Sequence, residues 1–186
     1  PGDYDEKFEG LKAFFGYHMA HPGKKLTFMG AEFGQFIEWN YKQGLDWLLL
    51  DYPKHKSLQK YFKDVNMLYK KTPAFWQIDY SWDGYSWISS EDKDNSVIAF
   101  RRIDNKGSEI IAVCNFTPMH RTDYRIGIPK KGIYSVVLNS DDECYGGSGF
   151  GSNGKIKTDD INMHGFEQSI SLDLPGLSTL YLKKSR

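Results

Sequence analysis

Cysteine is scarce in this sequence. Its 186 residues carry two, Cys114 and Cys144. Two thiols cannot build the disulfide framework of a small secreted domain, so both are expected free in a reducing, cytoplasmic setting. Net charge is lacking as well, because 24 basic residues cancel 24 acidic ones. That balance excludes the electrostatic signature of a nucleic-acid or anionic-membrane partner. No apolar run approaches the roughly 20 residues of a membrane-spanning helix, and no signal peptide is present. An initiator methionine is missing too: the sequence opens Pro1-Gly2-Asp3 directly before a helical pattern and is expected to be a piece of a longer polypeptide. What is abundant is aromatic side chain, 16% of residues, within a hydrophobic fraction of 40%. Such a composition specifies a folded core. A neutral, aromatic-rich surface also suits uncharged polar partners, of which sugars are the obvious class.

Asp3 and Glu6 have the spacing of a capping box, and Tyr4, Phe8, Leu11, Phe15 and Met19 recur at helical spacing behind them. A helix is therefore predicted over roughly 4–20, ended by Pro22-Gly23. The short apolar run Leu26-Thr27-Phe28-Met29, bounded by Gly23 and Gly30, predicts a strand over 25–29 buried on both faces. A loop follows through Asn40 and Gly44, then a short helical turn over 45–50. A second helix is predicted from Lys54, with Leu58, Tyr61, Phe62, Val65, Leu68 and Tyr69 on one face, and Thr72-Pro73 stopping it. Beyond residue 75 the apolar period changes from 3.6 to 2. Seven strands are predicted at 85–89, 97–103, 109–116, 123–128, 133–139, 169–174 and 179–183, separated by Gly, Pro, Asn and Asp turns. Short strands at regular spacing specify an antiparallel sandwich. The Gly-, Asp- and Asn-rich stretch 140–165 is expected to be an extended hairpin or surface loop.

Candidate chemistry concentrates just past the predicted strand. Glu32, Gln35, Glu38, Trp39 and Trp47 follow it, and α/β proteins build their sites beyond the carboxyl ends of such strands. Two carboxyls about 5–5.5 Å apart serve retaining glycosidases and transglycosylases. Glu32 and Glu38, however, share one short loop, whereas barrel enzymes draw catalytic groups from different strands. Loop anchoring, or support behind the groups that touch substrate, is the expected role of Glu32 and Gln35. Trp39 and Trp47 could stack on sugar rings or pack against the rim, and both readings stay open. Gly149 to Gly154 spells G-x-G-x-x-G but lies among hairpins, without the strand before and helix after that a phosphate cradle needs. His18 and His21 lack a third metal ligand, and no metal or cofactor is expected. Asp141-Asp142-Glu143 and Asp159-Asp160 lack a calcium-loop pattern. Asn115-Phe116-Thr117 is a glycosylation acceptor in form, without a secretory context.

Several motifs together resemble the 1,4-α-glucan (glycogen) branching enzymes of the α-amylase superfamily. They are HPGKKLTFMGAEFGQFIEW at 21–39, Phe14-Phe15-Gly16-Tyr17, Leu45-Asp46-Trp47, Asn115-Phe116-Thr117-Pro118, Asp123-Tyr124-Arg125 with Gly127, Gly146-Gly147-Ser148 and SLDLP at 171–175. The resemblance runs along essentially the whole chain. It implies the last helix–strand–helix of a (β/α)8 barrel over 1–75, followed by a C-terminal β-sandwich over 76–186. It further implies an enzyme that cleaves an α-1,4-glucan such as glycogen or amylose and transfers the piece to a C6 hydroxyl. Glu32, Gln35, Trp39 and Trp47 would border its active site. The family's three catalytic carboxylates lie at the ends of barrel strands four, five and seven. None of those motifs occurs here, so no catalytic residue is assigned and the chain alone is expected to be inactive.

Two alternatives accompany that reading. One is a hydrolase or debranching relative in the same superfamily. The other is a non-catalytic glucan-binding module over 76–186, with Trp76, Trp82, Tyr85 and Trp87 as platform candidates, although packing is the expected role of aromatics beside a domain junction. Residues 1–75 would also need cover for their apolar faces, either by self-association or by packing onto the β-domain.

Overall fold

A computed structural model describes residues 2–38, 40–151 and 153–185. Its first helix, α1 (Tyr4–Ala20), starts on the expected capping box. Asp3 Oδ1 accepts from Glu6 N at 2.9 Å, and Glu6 Oε2 accepts from Asp3 N at 3.1 Å. The second, α2 (Pro53–Lys71), has proline at its first position, where no intrahelical N–H is needed, and ends at Thr72 before Pro73. Leu58, Tyr61 and Val65 put one face of α2 into the interior. The turn after Gly44 is a 3-10 helix over Trp47–Asp51. Among the described residues, no helix is long and apolar enough to cross a membrane.

All seven predicted strands form, their ends within three residues of the predicted ones. They are β1 (Tyr85–Asp92), β2 (Val97–Ile103), β3 (Glu109–Asn115), β4 (Arg121–Ile128), β5 (Ile133–Asn139), β7 (Gln168–Leu174) and β8 (Ser178–Lys184). An eighth, β6 (Lys155–Lys157), lies inside the stretch expected to be loop. Three residues with a single apolar side chain give too short a period to read. β6 exists because β5 offers it an edge, pairing Tyr134 with Ile156.

The strands make two antiparallel sheets. One has the order β1-β2-β3-β8-β5-β6, and the other is the pair β4-β7. Period-2 alternation divides β3 between two cores. Ile111 and Val113 face the small sheet, while Ile110, Ala112 and Cys114 face the helices. All of β3 is consequently buried. The molecule is thus layered as helices, large sheet and small sheet.

The helices find cover on the large sheet. Thr179 Oγ1 of β8 donates to Ala13 O of α1 at 2.9 Å, and the Tyr181 hydroxyl donates to Gly16 O. Phe8, Phe15, Leu58 and Tyr61 share one core with Phe100 and Tyr181. This is packing onto the β-domain, one of the two forms of cover expected for residues 1–75.

The strand predicted at 25–29 is not formed. Residues 24–28 have no regular secondary structure and pair with no strand, and Leu26 is 85% exposed. An apolar run bounded by glycines becomes a buried strand only if neighbouring strands satisfy its N–H and C=O groups. Here the run is flanked by α1, which faces the large sheet instead, and by a 3-10 turn over Ala31–Phe33.

Candidate functional site

The polar and aromatic loop after residue 29 is built on two tight backbone turns. Gly30, at φ 89°, opens a 3-10 turn over Ala31–Phe33. Its carbonyl accepts from Gln35 N at 2.9 Å. Glu32 turns back on the loop, its Oε2 accepting from Gly30 N at 2.9 Å. Gln35 joins the two halves of the segment: its Oε1 accepts from Asp46 N at 2.9 Å and its Nε2 donates to Ile37 O at 3.1 Å. Both side chains therefore anchor the loop, as expected, with hydrogen bonds that end on backbone groups. Glu38 is exposed.

The loop is fastened to α2 by a residue that sequence reading missed. His55 is buried, and its Nδ1 lies 2.7 Å from Phe33 O, so Nδ1 carries the proton. Its ring meets Phe8 at 4.8 Å and Phe36 at 4.9 Å between centroids. Trp47 packs on Phe33 at 5.1 Å between centroids and is 55% exposed. Trp39 lies outside the described residues. Within and beside the loop, Leu26, Phe28, Met29, Phe36, Ile37 and Leu48 are exposed.

A second feature is an aromatic cleft of about 310 Å³ at the start of β1, lined by His21, Asp79, Tyr80, Trp82, Tyr85 and Trp87. Trp82 is 79% exposed, whereas Tyr85 is buried and packs against Trp82, Trp87 and Phe100. The platform candidates thus separate. Trp82 and Trp87 offer open ring faces, Tyr85 supports them, and Trp76 does not line the cleft. The buried Tyr85 hydroxyl has no hydrogen-bond partner, and burial pushes that phenol up in pKa. The cleft floor is held by an ion pair between Arg102 Nη2 and Asp79 Oδ1 at 2.9 Å, both side chains almost fully buried. Beside it Lys25 donates to His21 O and lies over the Tyr69 ring. Burial lowers Lys25 to about 8, against the opposing pull of Asp79.

A third feature is a polar cleft of about 670 Å³ between the β1–β2 turn and β4. Asp92, Asn95, Arg121, Asp123 and His164 line it. No local spacing pointed to it, since Asp123-Tyr124-Arg125 stood out only as part of a resemblance. The Tyr124 hydroxyl donates to Asp92 Oδ2 at 2.5 Å, and Asn95 Nδ2 reaches both oxygens of Asp92 at 2.8 Å. These hydrogen bonds hold the Asp92 carboxyl below its ordinary range against the opposing effect of burial, the largest influence on it.

The remaining sequence candidates resolve simply. The hairpin glycines fold back on Asp141, whose carboxylate accepts from Ser148 N at 3.0 Å and whose carbonyl accepts from Gly149 N at 2.8 Å. No helix follows Gly154. His18 stacks on Phe14, and His21 Nδ1 lies 3.1 Å from Pro22 O. Among the described residues no group of three potential ligand side chains is gathered. Asn115 is fully buried and donates from Nδ2 to Met119 O and Pro175 O, which leaves its amide inaccessible for glycosylation in the folded chain. Cys114 is a buried thiol pushed up to about 12 by burial, while Cys144 is exposed.

Comparison with known proteins adds three findings. A family described as "Alpha amylase, C-terminal all-beta domain" matches residues 87–185. The 1,4-alpha-glucan branching enzymes GlgB of Aquifex aeolicus and Halothermothrix orenii are 50% and 49% identical over 184 residues. That is 98% of this chain in both cases, and the chain spans 29% of the length of each relative. Among solved structures, one from Thermus thermophilus matches 95% of the chain with a TM-score of 0.64 at 19% identity, and 31% of that protein is covered. The pullulanase SAP of Group B Streptococcus matches 96% with a TM-score of 0.58 at 15% identity, and 28% of it is covered. At such low identity the two structures speak for the fold alone.

Proposed function

The chain belongs, through residues 87–185, to the family of the alpha amylase C-terminal all-beta domain, and on that basis we propose that it is the C-terminal part of a 1,4-alpha-glucan branching enzyme. The observation that carries this reading is identity of about half over 98% of the chain, both helices and both sheets included, with proteins of that name. In this reading residues 1–75 form the end of a (β/α)8 barrel and 76–186 the β-sandwich behind it. The segment 24–30, largely exposed and in no sheet, stands where the chain would meet the rest of that barrel. Its exposed Leu26, Phe28 and Met29 supply a surface for such packing. The two free cysteines support a cytoplasmic location.

The complete enzyme would cleave an α-1,4 bond with a carboxylate nucleophile, form a covalent glucosyl intermediate, and pass the glucan to a C6 hydroxyl in place of water. This chain contributes no carboxylate pair to that step. Glu32, the best-placed carboxylate of the rim loop, is committed to Gly30 N. What the chain provides is a fixed loop beside the site and a sandwich that buries the backs of the last helices. Incubating the chain with amylose is accordingly expected to leave iodine staining unchanged, whereas the complete protein reduces it and forms α-1,6 linkages. Branching by the chain alone would sink the assignment of catalysis to residues outside it. Shortening of amylose by the complete protein without new α-1,6 linkages would instead favour the hydrolase reading.

The aromatic cleft fits the same reading as a place where a glucan chain rests. Open indole faces at Trp82 and Trp87 present apolar surface of the kind sugar rings stack on. Native electrophoresis through glycogen is expected to retard the chain, and Trp82→Ala with Trp87→Ala to restore most of its mobility. Equal retardation of the double variant would assign these rings to packing only.

A further inference from the structure

The polar cleft between the β1–β2 turn and β4 has no part in the function proposed above, yet its construction is that of a binding site. Four non-glycine residues among those described have positive φ, and three gather here. Asp123 and His164, both at 52°, line the cleft, and Ser96, at 49°, directly follows the lining residue Asn95. Backbone held in this region is disfavoured and collects at ligand clamps. β4 is also irregular between Arg121 and Tyr124, where its register with β7 shifts. Irregularities of this kind re-aim side chains.

The side chains so aimed have defined polarity. The Arg121 guanidinium is held through Nη2, which donates to Asn95 O at 3.0 Å, while its Nε is buried without any partner. His164 Nδ1 accepts from Gly127 N at 3.2 Å, and His120 Nδ1 accepts from Gly176 N at 3.1 Å. A neutral imidazole that accepts at Nδ1 must carry its proton on Nε2. Both rings are therefore fixed as Nε2–H donors. Burial lowers His164 further from its ordinary pKa, keeping it neutral at pH 7. Asp92 is saturated by Asn95 and Tyr124 and acts as scaffold. Glu91 and the second oxygen of Asp123 remain as acceptors.

The lining thus combines fixed N–H donors with carboxylate acceptors, and Glu91, Asp92 and Asp123 offset Arg121 and Arg125. A strong anion or cation gains little from such a lining, whereas vicinal hydroxyls, each both donor and acceptor, match it. We propose that this cleft binds glucose units of an α-glucan through their hydroxyls, as a site on the β-sandwich itself. The choice of glucan as the sugar rests on the function proposed above.

Titrating the whole 186-residue chain with maltoheptaose, followed by amide NMR shifts, tests the proposal. Shifts are expected at Asp123, Tyr124 and His164. Glu91→Ala and His164→Asn are each expected to weaken that response about fivefold, the loss of one hydrogen bond to a ligand. Asparagine tolerates the positive φ of residue 164, and Glu91 lies on the surface, so both variants keep the fold. Trp82→Ala is expected to leave these shifts unchanged. Absence of shifts at the three amides in millimolar maltoheptaose would overturn the proposal, as would an unaltered response in both cleft variants. The linkage assay on the complete protein is independent. Branching without cleft binding removes this inference alone, while cleft binding without branching removes the parent assignment and leaves the cleft.

Discussion

Replacing Arg102 with methionine is expected to lower the unfolding free energy by about 3–5 kcal/mol, the cost of leaving half of a buried ion pair behind. Arg102 is fully buried on β2, and every arm of its guanidinium is used. Nη2 meets Asp79 Oδ1 at 2.9 Å, Nη1 donates to Ala20 O at 2.9 Å, and Nε donates to Gly84 O at 3.2 Å. One side chain therefore ties the end of α1, the turn before β1 and the loop holding Asp79 to the large sheet. Methionine keeps much of the volume but strands a carboxylate and two carbonyls. Chemical denaturation would read the loss directly. A drop below about 1 kcal/mol would place the pair in the range of exposed salt bridges and contradict its burial. Adding Asp79→Leu is expected to recover only part of the loss, because Asp79 Oδ1 also accepts from Gly23 N at 3.0 Å.

Two glycines of α1 are expected to respond to alanine with opposite signs. In a helix interior the change gains about 0.5–1 kcal/mol from propensity. At Gly10 nothing lies within 4 Å of the new methyl, so the gain stands and Tm rises by about 1–4 °C. At Gly16 the methyl would sit 2.6 Å from Thr179 Cβ and 2.8 Å from the Tyr61 hydroxyl. Thr179 Cβ belongs to a central strand and cannot swing away. Overpacking of this kind costs about 1–3 kcal/mol and outweighs the propensity gain. Tm is expected to fall by roughly 2–6 °C. A rise in both variants would show that α1 does not approach β8 so closely.

The contrast between those two positions illustrates what one dimension carries. The helix ends and the seven strands were legible because caps, prolines and the change of period are local signals. β3, Glu-Ile-Ile-Ala-Val-Cys-Asn, reads as an unbroken apolar run because both its faces are covered, by helices on one side and the small sheet on the other. The run at 25–29 looks alike in sequence but lies in no sheet, and a neighbouring strand is not a property of the run. Loop anchoring by Glu32 and Gln35 was also readable, since both bonds stay within the segment. His55, Lys12 and Arg102 were not. Their burial depends on remote carbonyls of Phe33, Tyr145 and Ala20 that accept their protons. The polar cleft escaped for the same reason, because Asp92, Arg121 and His164 come from three distant parts of the chain.

The place of β8 in the large sheet governs how this chain emerges during synthesis. The strand latest in sequence lies in the middle, hydrogen-bonded to β3 on one side and β5 on the other. Until residues 178–184 leave the ribosome, β3 and β5 each present an open edge, and α1 lacks the threonine and tyrosine hydroxyls that cap Ala13 and Gly16. Growth of the nascent polypeptide thus leaves two apolar strand edges open, and β8 closes both in a single late event. A chain shortened by its last strand would lose the centre of its sheet, and its two halves would be left as templates for aggregation.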